Sequence, residues 1–247
     1  MPLKWQYPIG LLFDLLAGTS PGRPEHQDGA LSQDAGRTPG FGLDWNIQVH
    51  FSEWPTEQLI PLNESGKLHQ DVFIQSVKEA DYLRNGTAKT IMLLSKDDST
   101  NLWQSVEKHD LSKFAPLYRK FLNPQGGDSI RHVPLKVYIP QAPPKSETKG
   151  VAEDAEDARG GLRVVQGLIP PRAASSKTPQ TIGTALHNLL PKLFPSRTLS
   201  IHARPVLHGV IVPLNTRLED LMEGAAFCDG FLHIAVTVVD FGNDTST

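Results

Sequence analysis

Four side chains in this sequence stand out as groups that could carry covalent or acid–base chemistry: the amine of Lys89, the thiol of Cys228 and the imidazoles of His208 and His233. Lys89 follows the turn pair Asn85-Gly86, with the small residues Thr87 and Ala88 before it and Thr90 after it. A lysine amine is a nucleophile only when neutral, and with an ordinary pKa near ~10.4 about one in a few thousand is neutral at pH 7. A place in the first turn of a helix, at the positive end of the macrodipole, tilts that balance slightly toward the neutral form. Small neighbours matter more, because they leave the amine open to approach. Taken alone, a lysine after an Asn-Gly turn reads as a solvated residue. Of the nearby lysines, Lys78 falls elsewhere in the pattern, and Lys96 precedes Asp97-Asp98 and is expected to pair locally with them on a solvated face.

Cys228 is the single cysteine, so no internal disulfide can form, and no CxxC or Cys/His cluster supplies a zinc spacing. It reads as a small core residue in a reducing compartment. His208 and His233 lie within apolar stretches and read as satisfied core histidines, with no third group to complete a catalytic set. No GxSxG, Walker loop, HExxH or Rossmann fingerprint occurs, so no catalytic residue, cofactor or metal is expected. With 27 acidic against 24 basic residues the net charge is -3, which argues against a nucleic-acid binder. No apolar run approaches the roughly 20 residues of a membrane span, and Met1 to Gly10 lacks the pattern of a secretory signal. A cytoplasmic protein is expected.

The elements that must position these groups follow from periodicity. Pro8 and then Ile9, Leu12, Phe13, Leu15 and Leu16, up to Gly18, spell a short buried helix. Residues 19–40 are rich in Gly, Pro, Gln and Asp and are expected to be a disordered insertion. Trp45, Ile47, Val49 and Phe51 alternate like a half-buried strand, and Gln58 to Leu62 could form another. Val72, Phe73, Ser76, Val77, Ala80 and Leu83 share one helical face and predict a helix from Gln70 to Arg84. Thr87 is placed to cap a second helix through Ala88, Ile91, Met92 and Ser95, with Lys89 in its first turn. A third helix through Leu102, Trp103 and Val106 and a fourth through Leu111, Phe114, Leu117, Tyr118, Phe121 and Leu122 complete a bundle.

Beyond Asn123-Pro124 and Gly126-Gly127 the period becomes two, with Val133, Leu135, Val137 and Ile139 on one side of a strand. Residues 141–161, acidic and bearing Pro and Gly, are a second expected disordered loop. A strand from Leu162 to Ile169, a helix capped by Thr178-Pro179, a strand at Pro205 to Val212, a short helix at Leu218 to Met222 and a strand at Phe231 to Val239 follow. That order is the order of a ubiquitin-like β-grasp. The fold class expected is α+β: two ubiquitin-like β-grasp domains flanking a helical bundle, partitioned as 1–66, 67–127 and 128–247. The first lacks its opening hairpin, so Met1 is expected to be an internal start or the start of a truncated gene model.

Three stretches carry a family resemblance. Leu3-Lys4-Trp5-Gln6-Tyr7-Pro8-Ile9-Gly10-Leu11-Leu12-Phe13-Asp14-Leu15-Leu16, followed by Trp45-Asn46-Ile47, resembles the first ubiquitin-like domain of the autophagy protein 5 family. Val77-Lys78-Glu79-Ala80-Asp81 through Leu102-Trp103 resembles its helical domain. His208-Gly209-Val210, Pro213-Leu214 and Phe231-Leu232-His233-Ile234 resemble the closing strands of its second ubiquitin-like domain. The order of domains is kept along the chain.

The resemblance implies a non-enzymatic scaffold. A lysine of the helical domain, here matched by Lys89, accepts the C-terminal glycine of autophagy protein 12 from the conjugating enzyme autophagy protein 10. The conjugate binds the coiled-coil partner autophagy protein 16 and, through autophagy protein 3, promotes attachment of autophagy protein 8 to phosphatidylethanolamine. Peripheral association with the phagophore assembly site membrane follows. The missing opening strands bear on the coiled-coil partner, whose docking surface in the family uses all three domains. Two rivals are an adaptor that binds partners only non-covalently and an enzyme using His233 or Cys228, which no motif supports.

Overall fold

The computed structural model describes residues 3–17, 47–52, 54–56, 59–61, 67–122, 130–141, 162–173 and 178–238 of the 247. The proposed insertion at 19–40, Trp45, and all but residue 141 of the proposed loop at 141–161 lie outside them.

The C-terminal part is a five-stranded sheet in the order β2-β1-β5-β3-β4. β1 (Leu135–Pro140) pairs antiparallel with β2 (Leu162–Gln166), and parallel with β5 (Leu232–Val238) with Val137 opposite Ile234. β3 (Ala203–Leu207) runs antiparallel to β5 and to the short β4 (Val210–Ile211). A parallel central pair between two hairpin arms, crossed by one helix, is the β-grasp plan. That helix, α6 (Ile182–Leu189), sets Ile182, Ala185 and Leu186 against Leu135, Val137 and Ile234, with α7 (Leu218–Ala225) beside it. The opposite face of the sheet carries Tyr138, Val206 and Ala235, and the N-terminal helix α1 (Ile9–Ala17) covers it with Leu11 and Leu15. With both faces covered, Leu232 through Val236 are buried without alternation.

The cap of α6 is one turn later than expected. Thr181, not Thr178, accepts from the Thr184 amide at 3.2 Å, while the Thr184 hydroxyl accepts from the Thr181 amide at 3.0 Å. The reciprocal pair satisfies two helix donors that a lone Thr178 could not.

The bundle consists of α2 (Lys67–Asn85), α3 (Lys89–Met92), α4 (Lys96–Glu107) and α5 (Leu111–Leu122), closed on Val77, Ile91, Leu102, Leu117 and Phe121. Ser95 ends up capping α4 by accepting from the Asp98 amide at 3.0 Å, so α3 is a single turn. Asp98 pairs with Lys120 of α5 at 3.1 Å instead of with Lys96, because residues two apart on a helix do not face each other.

Over its described residues the expected strand from Trp45 to Phe51 does not form: residues 47–50 are neither helix nor strand, and Val49 and Phe51 are 69% and 98% exposed. Residues 59–61 are not a strand either; the Leu59 amide instead donates back to the Pro55 carbonyl at 2.9 Å. Alternation provides one face of a strand, but a ladder needs a neighbour, and none is paired with these segments among the described residues.

Candidate acceptor site

Lys89 lies where α2 hands over to α3, exposed, with Ile91 two residues on locked into the bundle core. The handover is tightly specified. Gly86 has φ of +72°, a left-handed conformation that L side chains rarely adopt, and it sits against the Arg131 guanidinium. Thr87 is not the cap expected of it: Ala88 holds the N-cap position with no side-chain cap, Thr87 only accepts from the Lys89 amide at 3.3 Å, and α3 is too short to carry much of a dipole. Openness to approach, not helix field, is therefore what the position offers the amine. Behind the turn, Asp81 is buried, and its two oxygens accept from Asn85 Nδ2 at 2.7 Å and from the Ile91 amide at 3.2 Å.

The same helix is bolted to the second ubiquitin-like sheet. Phe231 packs on Ala80 and Leu83, with Lys136 Nζ 3.8 Å from its ring centroid. Lys136 also pairs with Glu79 at 2.8 Å. Arg84, fully buried, donates from Nη2 to the Gly230 carbonyl at 2.8 Å and accepts through its own carbonyl from the Arg131 amide at 2.7 Å. Burial disfavours its charge, which Tyr118, Asp81 and Asp229 support. Gly230, at φ of +86°, leaves no room for a Cβ beside Ala80 and Arg84.

At the centre of this junction runs a buried polar chain. Ser76 Oγ donates to Asp229 Oδ2 at 2.7 Å, His233 Nε2 lies 2.9 Å from the same oxygen, and Tyr138 Oη lies 2.8 Å from His233 Nδ1. A neutral imidazole protonated on Nε2 satisfies both neighbours, donating to Asp229 and accepting from the tyrosine. Burial works against the Asp229 charge, yet the hydrogen bonds from His233, Ser76 and the Phe231 amide hold its carboxyl below the ordinary range. Burial pushes the Tyr138 phenol upward. The chain links three parts of the molecule: Ser76 on α2, Asp229 on the turn before β5 with His233 and Tyr138 on the sheet, and Tyr7, ahead of α1, edge-on to Tyr138 at 5.3 Å.

Three family models match in succession along these parts: the UblA domain of autophagy protein ATG5 over residues 1–51, its alpha-helical bundle region over 66–124 and its UblB domain over 132–236. The chain is 45% identical over 243 residues to autophagy protein 5 of Phaeosphaeria nodorum, covering 97% of this chain and 74% of that protein. It belongs to the autophagy protein 5 family. To the autophagy protein 5 of Penicillium rubens it is 42% identical over 259 residues, again covering 97% of this chain and 74% of that one. The crystal structure of Kluyveromyces marxianus Atg5 superposes with a TM-score of 0.59 at 22% identity, covering 94% of this chain and 67% of that one, a likeness of fold. Membership gives the architecture of two ubiquitin-like domains about a helical bundle, and places the protein's role in autophagy.

Within this autophagy protein 5 architecture the other candidate groups resolve differently from expectation. His233 is a buried histidine, as read, but Asp229 and Tyr138 do flank it; at 3% exposure, between the Phe227, Phe231 and Tyr138 rings, it is a structural clasp that no substrate reaches. His208 is not in a core: it is exposed at φ of +52° in the turn joining β3 to β4, stacked on Phe227 and donating from Nε2 to the Ala225 carbonyl at 2.9 Å. Cys228 is exposed on the turn before Asp229 instead of being a core residue. Trp5 is an anchor, donating from Nε1 to the Ile60 carbonyl at 2.9 Å and lying against His69 of α2, and Trp103 packs on Phe73. Trp54 is exposed. Sequence reasoning missed Ser76, Asp81, Arg84 and Asp229; polar residues on or beside an apolar helical face were the available signal.

Proposed function

We propose that the chain is a non-enzymatic acceptor whose Lys89 takes the C-terminal glycine of autophagy protein 12 from the thioester of autophagy protein 10. The observation that carries this reading is the pairing of an exposed amine with a rigid, small-residue turn at the position the family resemblance assigns to the acceptor. In the transfer the neutral Nζ adds to the thioester carbonyl and the C–S bond breaks as the C–N bond is completed. The nitrogen's extra proton leaves to solvent or to the departing thiolate. This chain contributes position and access, and its partner contributes the activated carbonyl.

The conjugate then acts with autophagy protein 16 as a ligase-like scaffold that promotes, through autophagy protein 3, the lipidation of autophagy protein 8. Its place of action is the cytoplasm and, peripherally, the phagophore assembly site membrane. Expressing wild type and Lys89→Arg in cells that contain the conjugation enzymes tests the reading on a denaturing gel. A shift by the mass of a ubiquitin-like protein in wild type alone supports it. A shift in both assigns another lysine, and a shift in neither leaves an adaptor that binds only non-covalently.

A further inference from the structure

The side chain of Lys89 is exposed, and the order of its turn comes from behind. Asp81, 1% exposed, reaches both ends of the handover with one carboxylate. Oδ1 accepts from Asn85 Nδ2 at the last residue of α2, and Oδ2 accepts from the Ile91 amide inside α3. Lys89 lies between these two donors. We propose, on the footing that Lys89 is the acceptor, that Asp81 is a positioning residue for its acylation, fixing residues 85–91 so that the amine meets the thioester at one angle.

Two features argue for position over simple charge balance. Asp81 also supports the charge of Arg84, but that task needs only a nearby negative charge and would not require both oxygens to be spent on the flanks of one turn. The Asn85 bond also engages a helix-terminal residue that solvent could have satisfied. Convergence on the turn is what a positioning group shows.

The exchange Asp81→Asn with Asn85→Asp separates the roles, because it reverses the direction of one hydrogen bond, keeps the acceptor for the Ile91 amide and moves the charge by one helical turn. The full chain is mixed with a saturating preformed thioester of the conjugating enzyme and its ubiquitin-like protein, and transfer is followed in a single turnover. Asp81→Ala, which removes both acceptors, is expected to slow transfer at saturation by about tenfold, leaving the half-saturating thioester concentration unchanged. The double exchange recovers most of that rate, and Asn85→Ala, which releases only one arm, slows transfer about threefold. Hydrogen exchange at the Ile91 amide is slow in wild type and in the double exchange, and fast in Asp81→Ala.

The proposal is overturned if the double exchange restores Ile91 protection without restoring transfer, or if Asp81→Ala transfers at the wild-type rate. Should Asp81→Ala fail to fold, Asn85→Ala at the wild-type rate overturns it instead. Lys89→Arg distinguishes the two levels. If it abolishes transfer while the Asp81 and Asn85 variants change nothing, positioning alone fails; if it transfers normally, the acceptor assignment fails and takes this proposal with it.

Discussion

Residues 76–84 of α2 and residues 47–51 are both patterned segments belonging to a ubiquitin-like assembly, and they end in opposite states. The helix is pinned through Ser76, Glu79, Ala80, Leu83 and Arg84 to Asp229, Lys136, Phe231 and Gly230 of the second domain. The segment 47–51 presents Ile47, Val49 and Phe51 to solvent without a paired strand among the described residues. A helix satisfies its own backbone and can be judged from its face alone. A strand borrows half its hydrogen bonds from a neighbour, so its pattern is a promise conditional on that neighbour.

The contrast can be broken by substitution. Phe231→Ala removes the apolar bolt of the junction and is expected to cost about 3–5 kcal/mol in urea unfolding. Asp229→Ala strands Ser76, His233 and the Phe231 amide in a buried space and is expected to cost about 3 kcal/mol, whereas Ser76→Ala, removing one donor, costs about 1 kcal/mol. Phe51→Ser should change stability by no more than about 0.5 kcal/mol. A cost from Phe51→Ser as large as that from Phe231→Ala would show that 47–51 is packed after all.

Acid sharpens the same comparison. The folded Asp229 carboxyl titrates below its unfolded value, so its contribution is complete above the ordinary aspartate pKa near ~3.9 and is lost as pH falls through the lower folded value. Chemical denaturation at pH 5 and below pH 3.5 should show wild type losing stability that Asp229→Asn, already lacking this charge, does not lose.

Much of this was legible in the sequence because helical faces and alternating strands report their own burial. The face carrying Val77, Ala80 and Leu83 is legible there, and so is the order of helices and strands along the second domain, except that the strand expected at 205–212 is two. What the pattern hid were choices settled by geometry in three dimensions. Thr181 outcompetes Thr178 because Thr184 can return its hydrogen bond, and Asp98 turns to Lys120 because α5 packs alongside α4. His208 looks like a strand residue until the positive φ of His208 and Gly209 splits the run into two strands. At the proposed acceptor site Lys89 and its turn are visible as a local motif, while Asp81, which grips both ends of it, is hidden as one polar residue on a buried face.

The central claim is tested most directly by reconstituting transfer with purified conjugation enzymes, digesting the product with trypsin and locating the branched peptide by mass spectrometry. The account predicts one branch, on Lys89, absent from Lys89→Arg. A branch on Lys78, Lys96 or any other lysine in the wild-type chain would contradict it.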